Sequence, residues 1–216
     1  MSKKKTYAVF GLGRYGNAVA KELCANGVEV LAVDIDEELV NDASADIPYC
    51  KCADVTDPEA IKQLGISNID VVIITMATNL EASVMATMLC KEAGVKLVIA
   101  KCASEMNCRI LEKVGADRVV FPENESGIRL AKNLMSSGFV DILDLSDDAS
   151  MVELDVRPEW VNKSLKELDL RKKYSLNIVA VIENDKAVIN IDPEKPLKKE
   201  MRLIVIADKA SLSRFR

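Results

Sequence analysis

The chain has 216 residues, of which 49% are hydrophobic but only 4% aromatic, and its formal net charge is −5. That length holds one full domain and a small second one, and the acidic balance and scarce aromatics argue against a nucleic-acid binder. With no signal peptide at its start and no apolar run long enough to span a bilayer, the sequence reads as that of a soluble, cytosolic protein.

In chain order, Thr6–Phe10 is expected as a strand that runs straight into Gly11-Leu12-Gly13-Arg14-Tyr15-Gly16. This is a G-x-G-x-x-G run. Behind it a helical pattern continues to about Asn26, with Tyr15, Ala18, Val19 and Leu23 on one face. In such a turn Gly11 allows the tight exit from the strand, Gly13 lets backbone approach a phosphate, and Gly16 lets helix and strand pack closely. The helix start offers unpaired N–H groups to an anion. Leu31-Ala32-Val33-Asp34 predicts a second strand ending on an acid about 20 residues beyond the glycines, the spacing that ribose recognition requires. Arg14 carries the wrong sign for the first turn of a helix. A polyphosphate bound there, in this subunit or a neighbour, would account for it; the alternative is an arginine that simply faces solvent.

Helices are expected at Glu37–Ala45, Pro58–Leu64, Leu80–Ala93 and Glu105–Val114, and strands at Tyr49–Ala53, 71–74, Lys96–Ala100 and Arg118–Phe121. The alternation predicts an α/β fold, a Rossmann-like doubly wound parallel sheet, whose ligands bind beyond the carboxyl ends of the strands. Polar residues collect at those ends: Asp34 and Asp36, then Asp54, then Thr75, Thr78 and Asn79, then Lys101. Asp54 is placed to read an adenine edge, or else to serve the turn with Asp57 as a cap. Lys101 calls for an anion or a carboxylate partner. The candidate nucleotide-binding set is therefore Gly11, Gly13, Arg14, Tyr15, Gly16, Asp34, Asp36, Asp54, Asn79 and Lys101.

The segment Leu80–Ala93 is apolar nearly all round, which predicts cover on more than one side, by a subunit contact or else by deep burial within the domain; a chain of this length favours the contact. The six cysteines read as free thiols in a cytosolic setting. Cys50 and Cys52 share a strand face, but zinc needs two more ligands and the chain has no histidine. Beyond Pro122 an amphipathic helix, marked by Ile128, Ala131, Leu134 and Met135, ends at Ser136-Ser137-Gly138. The expected division is a nucleotide-binding domain at 1–138 that includes this crossover helix, an acidic linker at 139–149, and a small α+β domain at 150–216. Expected in the last are strands Met151–Val156, Asn177–Ile182, Ala187–Ile191 and Arg202–Ala207 and a short helix Ser164–Leu168.

The order of motifs is Val-Phe-Gly-Leu-Gly-Arg-Tyr-Gly, Ala-Val-Asp-Ile-Asp, Ala-Asp-Val-Thr-Asp-Pro-Glu and Gly-Ala-Asp-Arg-Val-Val-Phe-Pro-Glu. It resembles the KtrA/TrkA family, the cytosolic RCK regulatory subunits of bacterial potassium transporters, over the whole chain. The resemblance implies an octameric ring of dimers docked on a membrane potassium channel at the inner face of the cell membrane. It implies ATP, ADP or NAD(H) in the glycine-loop site, with Arg14 reaching a neighbour's nucleotide, Asp34 on the ribose and Asp54 on the adenine edge. Glu123 matches a family carboxylate that binds Mg²⁺ or Ca²⁺ near the phosphates; without that role it complements a helix dipole, as Glu125 does. In some relatives the C-terminal unit binds cyclic di-AMP, here around Arg171, Tyr174, Asn177 and Ile178. The implied protein is a switch and not an enzyme. The rival readings are an NAD-dependent oxidoreductase and a soluble NADH redox sensor answering through its cysteines. A dehydrogenase needs a proton donor near the hydride, and without histidine no recognisable catalytic arrangement presents one.

Overall fold

A computed structural model describes residues 5–135 and 139–214. The chain divides into two compact units, Met1–Glu123 and Asn124–Arg216.

The first unit alternates strands and helices: β1 (Tyr7–Phe10), α1 (Arg14–Ala25), β2 (Val30–Asp34), α2 (Glu37–Ser44), β3 (Tyr49–Cys52), α3 (Pro58–Gln63), β4 (Val71–Ile74), α4 (Leu80–Glu92), β5 (Leu97–Lys101), α5 (Glu105–Val114) and β6 (Arg118–Val120). All strand pairs are parallel, in the order β3-β2-β1-β4-β5-β6. The doubly wound sheet expected from the alternation is thus present. Its strand order reverses between β1 and β4, the crevice where such sheets take ligands. β4 is buried along its whole length because both faces are covered. On one face Phe10, Val72, Ile74 and Val98 pack with Ile61 of α3, Ala86 of α4 and Leu111 of α5. On the other, Val9, Ala32 and Ile73 meet Ala20 of α1 and Val40 and Ala43 of α2. In α1 the buried positions are Gly16 and Ala20, and Ala18, expected on the inner face, is exposed.

α4 inverts the usual pattern of an amphipathic helix. Its buried residues are Ser83, Ala86, Thr87 and Cys90, whereas Met85 and Met88 face outward. The buried hydroxyls are satisfied by the helix, its cap and the turn before it: Ser83 Oγ donates to the Asn79 and Met76 carbonyls, and Thr87 Oγ1 donates to the Ser83 carbonyl at 2.7 Å.

The division between units falls in the first turn of α6 (Pro122–Met135). β7 (Phe139–Asp144), β8 (Ala149–Asp155), α7 (Leu165–Leu168), α8 (Leu170–Tyr174), β9 (Asn177–Glu183), β10 (Lys186–Val188), β11 (Arg202–Asp208) and α9 (Lys209–Arg214) complete the second unit. Its five-stranded antiparallel sheet has the order β10-β9-β11-β8-β7. In β8 and β11 buried residues alternate with less buried ones, and Val152, Leu154, Leu203 and Val205 pack on Trp160, Leu168 and Leu176. The acidic stretch expected as a linker at 139–149 is instead strand β7 and a tight turn into β8, where the Leu145 and Ser146 amides both donate to the Ala149 carbonyl. Its charge is offset, since Asp144 accepts from Lys132 and Ser150 and lies 3.6 Å from Lys209. The Ser136-Ser137-Gly138 ending expected for the crossover helix lies outside the described residues. The strand expected at Ala187–Ile191 shifts to Lys186–Val188, and Ile189 beyond it is exposed.

Candidate nucleotide site at the glycine turn

The glycine turn sits at the reversal point of the sheet, stitched to both neighbours of β1. Gly11 N–H donates to the Val33 carbonyl of β2, and the Thr75 amide after β4 donates to the Phe10 carbonyl, each at 2.8 Å. Gly11 has φ +90°, a backbone that L side chains rarely adopt. A Cβ on Gly16 would lie 1.9 Å from the Gly11 carbonyl oxygen, so helix and turn touch backbone to backbone. Gly13 differs from both. Its φ of −61° suits any residue, and a Cβ built there meets nothing within 4 Å. Packing therefore does not require glycine at 13, and the open space over it suits a group that approaches the backbone.

The start of α1 is bare of side-chain caps. α2, α3, α4 and α5 are capped by Asp36, Asp57, Asn79 and Ser104, each accepting from an amide of its own first turn. α1 has no side-chain cap and no acid in its first turn, and Arg14 is its first residue. Its first-turn N–H groups and its positive dipole end are what a phosphate binds. Asp34, at the carboxyl end of β2, closes the other side: its Oδ2 accepts from the Leu12 amide at 2.5 Å and its Oδ1 from the Asp36 amide at 2.9 Å. The acid thus orients the glycine turn while its remaining lone pairs are available to hydroxyl donors.

The other expected residues divide by partner. Asp36 and Asn79 cap α2 and α4, each through its Oδ1. Asp54 accepts from the Thr56 hydroxyl at 2.7 Å and amide at 2.9 Å, bonds that shape its turn and hold its carboxyl below the ordinary value. Lys101 and Glu123 are brought together. Lys101 Nζ, on a nearly buried side chain, donates to Glu123 Oε1 at 2.6 Å and lies 5.4 Å from the Tyr15 ring centroid. The Lys101 hydrogen bond is the main cause that keeps the Glu123 carboxyl below its ordinary value, and Arg14 adds a smaller pull in the same direction. Arg14, Lys101 and Glu123 therefore form one charged cluster, with the Tyr15 ring near the lysine.

Two residues outside the candidate set shape the turn and its edge, one of them, Thr75, already noted at its strand end. Thr75 braces the turn from the next strand, its hydroxyl donating to the carbonyls of Phe10 and Gly11 at 3.0 and 2.7 Å. Ile35, set between Asp34 and Asp36, is 68% exposed at the carboxyl edge, an apolar shelf beside the ribose-type acid. An apolar residue straight after a strand-ending acid was the available signal. The expectation of six free thiols also fails: Cys102 and Cys108 are joined in a disulfide, and Cys24, Cys50, Cys52 and Cys90 are free. The physical reason is placement, since the turn from β5 into α5 brings their Cα atoms within 5.2 Å. Among the described residues no group of three or more metal-ligating side chains occurs. Nor is any helix there long and apolar enough to cross a membrane.

Comparison with known proteins places this geometry. The TrkA-N domain profile matches residues 7–122 and the TrkA-C domain profile residues 150–216. The chain is 37% identical to Ktr system potassium uptake protein C of Bacillus subtilis (strain 168), over 98% of this chain and 96% of that one. It is 35% identical to Ktr system potassium uptake protein A of the same organism, over 99% and 96%. Among solved structures, the GsuK channel bound to NAD superposes with a TM-score of 0.69 at 16% identity, covering 98% of this chain and 38% of that chain, which supports the fold. This chain thus spans well under half the length of that channel protein. A TrkA-N domain that carries the glycine turn and a TrkA-C domain that carries the antiparallel sheet together establish that the chain belongs to the TrkA family of potassium uptake proteins.

Proposed function

We propose that this chain is a nucleotide-responsive regulatory subunit that assembles as an octameric ring of dimers, docks on a membrane potassium channel at the cytosolic face of the membrane, and gates it without catalysing a reaction. The observation that carries the reading is the uncapped start of α1 over Gly13, with Asp34 beside it, in a chain 37% identical to a potassium uptake protein. ATP or ADP, and NAD(H) through the same contacts, would place phosphates over Gly11, Gly13 and Gly16. The ribose would lie on Asp34 and the adenine face on Ile35. Asp54 then reaches the adenine edge from the next strand, and Arg14 reaches toward a neighbour's nucleotide.

The single carboxylate of Glu123 fits Mg²⁺ or Ca²⁺ held jointly with nucleotide phosphates, the usual way such a cation is bound when the protein offers one acid. Glu123 and Lys101 would hold that ion and its anion, and the cation would neutralise phosphate charge at the turn. In the TrkA-C unit a cavity of about 400 Å³ is lined by Arg171, Asn177 and Ile178, three of the four residues expected for cyclic di-AMP, while Tyr174 is exposed and outside the lining. Cyclic di-AMP is the ligand proposed there.

Calorimetric titration of ATP, ADP, NADH and NADP, with and without Mg²⁺, tests the reading. ATP and ADP are expected to bind, with ATP tightened by Mg²⁺, and NADP is expected to bind poorly because its 2′-phosphate meets the Asp34 carboxylate. NADP binding as tight as ATP would overturn the assignment of Asp34.

A further inference from the structure

We propose that Cys102 and Cys108 are a reversible thiol–disulfide couple that fixes or frees the β5–α5 turn and, through it, the position of Lys101. The two sulfurs are bonded across six residues, with Cα atoms 5.2 Å apart. Cys102 directly follows Lys101 at the end of β5; it is 1% exposed and its amide donates to the Val120 carbonyl of β6. Cys108 lies in α5 and is partly exposed. The short covalent ring encloses Ser104, whose Oγ caps α5 by accepting from the Asn107 amide. The bond therefore ties the end of a buried strand, the cap of a helix and the helix itself into one piece, starting next to the lysine that holds Glu123.

Stapling the fold accounts for only part of this bond, because loop-closure stabilisation is smallest for short loops. Unequal burial assigns the two sulfurs different chemistry. A thiolate of a low-molecular-weight thiol attacks the accessible Cys108 sulfur, the S–S bond breaks, and Cys102 leaves as a thiolate that takes up a proton. A second thiol then attacks the outer sulfur of the mixed disulfide and releases Cys108. Two electrons pass to the cysteine pair and the two reductant thiols leave joined as a disulfide; a low-molecular-weight disulfide runs the sequence in reverse. Cys90 offers a contrast, since complete burial pushes its thiol to about 12 and keeps it out of such exchange.

The Lys101 half of the proposal rests on the nucleotide reading above; the couple itself does not. The full chain is equilibrated across a series of reduced and oxidised glutathione ratios, quenched with acid, alkylated and mapped by peptide mass spectrometry. Mg-ATP affinity and amide exchange over residues 101–108 are measured on the same samples. The expected result is reversible interconversion of the 102–108 bond, faster exchange over the turn when reduced, and Mg-ATP binding about three- to tenfold tighter when oxidised, because the bond pre-organises Lys101. Cys108→Ser should hold one affinity at every ratio. A 102–108 pair that stays in one state across the series overturns the couple. Interconversion with unchanged exchange and equal Mg-ATP affinity overturns control of the turn and of Lys101. If the bond interconverts but neither state binds Mg-ATP, the couple stands, and the nucleotide reading falls together with the Lys101 half.

Discussion

At the scale of the residue, the three glycines of one motif have different reasons to be glycine. Gly16 is required by packing and Gly11 by its left-handed backbone, whereas nothing in the fold requires Gly13. Gly16→Ala should therefore destabilise the first unit by about 2–4 kcal/mol, as a Cβ forced against backbone does. Gly13→Ala should cost at most about 1 kcal/mol, the loss of glycine at an N-cap, yet weaken Mg-ATP by about tenfold or more through the methyl over the phosphate path. Denaturant unfolding and calorimetry on the two variants separate these outcomes; equal nucleotide affinity in Gly13→Ala and the parent would remove the phosphate from that position. The motif, Asp34 and the wrong-signed charge of Arg14 were legible in the sequence because local backbone rules decide them. Thr75 as a brace and the Lys101–Glu123 pair depend on which strands become neighbours, and one-dimensional spacing does not carry that. Asp36 and Asn79 read as ligand groups from the sequence and are also helix caps in the structure, because a cap and a ligand contact draw on the same short polar side chains at the same strand ends.

At the scale of the element, hydrophobic pattern located the strands and helices of the first unit to within a residue or two, because even short apolar runs such as Val71–Ile74 are bounded by polar and turn residues. It failed at β7, where acidic residues resemble a linker until their partners on α6, β8 and α9 are known. Asp144 shows the effect. The Lys132 hydrogen bond first, then that from Ser150, pull its pKa from 3.8 to about 2. A carboxylate with a depressed folded-state pKa contributes stability that is full above about pH 4 and lost as pH falls toward about 2. With a third of the side chain exposed, solvent screening limits that contribution to about 1 kcal/mol. Asp144→Asn should lower the urea midpoint of the second unit at pH 7, and the gap to the parent should close by about pH 2; a gap that persists at low pH would mean packing, not charge, is at stake. α4 supplies the second prediction at this scale. Its hydroxyls face inward and Met85 and Met88 face outward, so its outer surface suits a second copy better than water. Met85→Glu is expected to reduce the assembly seen by light scattering while thermal unfolding of the first unit stays within about 1 kcal/mol of the parent. An unmodified protein that scatters as a monomer defeats the idea.

At the scale of the whole molecule, a regulator needs a site that distinguishes two ligands and a means of passing the difference on. On the proposed function, the cluster of Arg14, Tyr15, Lys101 and Glu123 is where ATP and ADP would differ, because a third phosphate would extend the negative charge beyond the glycine turn. Arg14 is exposed on the first turn of α1, and its field already acts on Glu123. Truncating it should leave ADP affinity nearly intact and weaken ATP by about 1–3 kcal/mol, the scale of a charge-assisted contact. Glu123→Gln should remove most of the tightening that Mg²⁺ gives to ATP. The two changes should be less than additive in the double variant, since the arginine and the cation neutralise one phosphate group. In vesicles carrying the channel partner, Arg14→Ala and Glu123→Gln proteins should still co-sediment with the channel but lose the ATP-dependent rise in potassium flux. If Arg14→Ala instead lowers ATP and ADP affinity equally and flux still responds to ATP, Arg14 is a general phosphate contact. Discrimination must then lie with Lys101, whose tie to Glu123 a third phosphate would have to break.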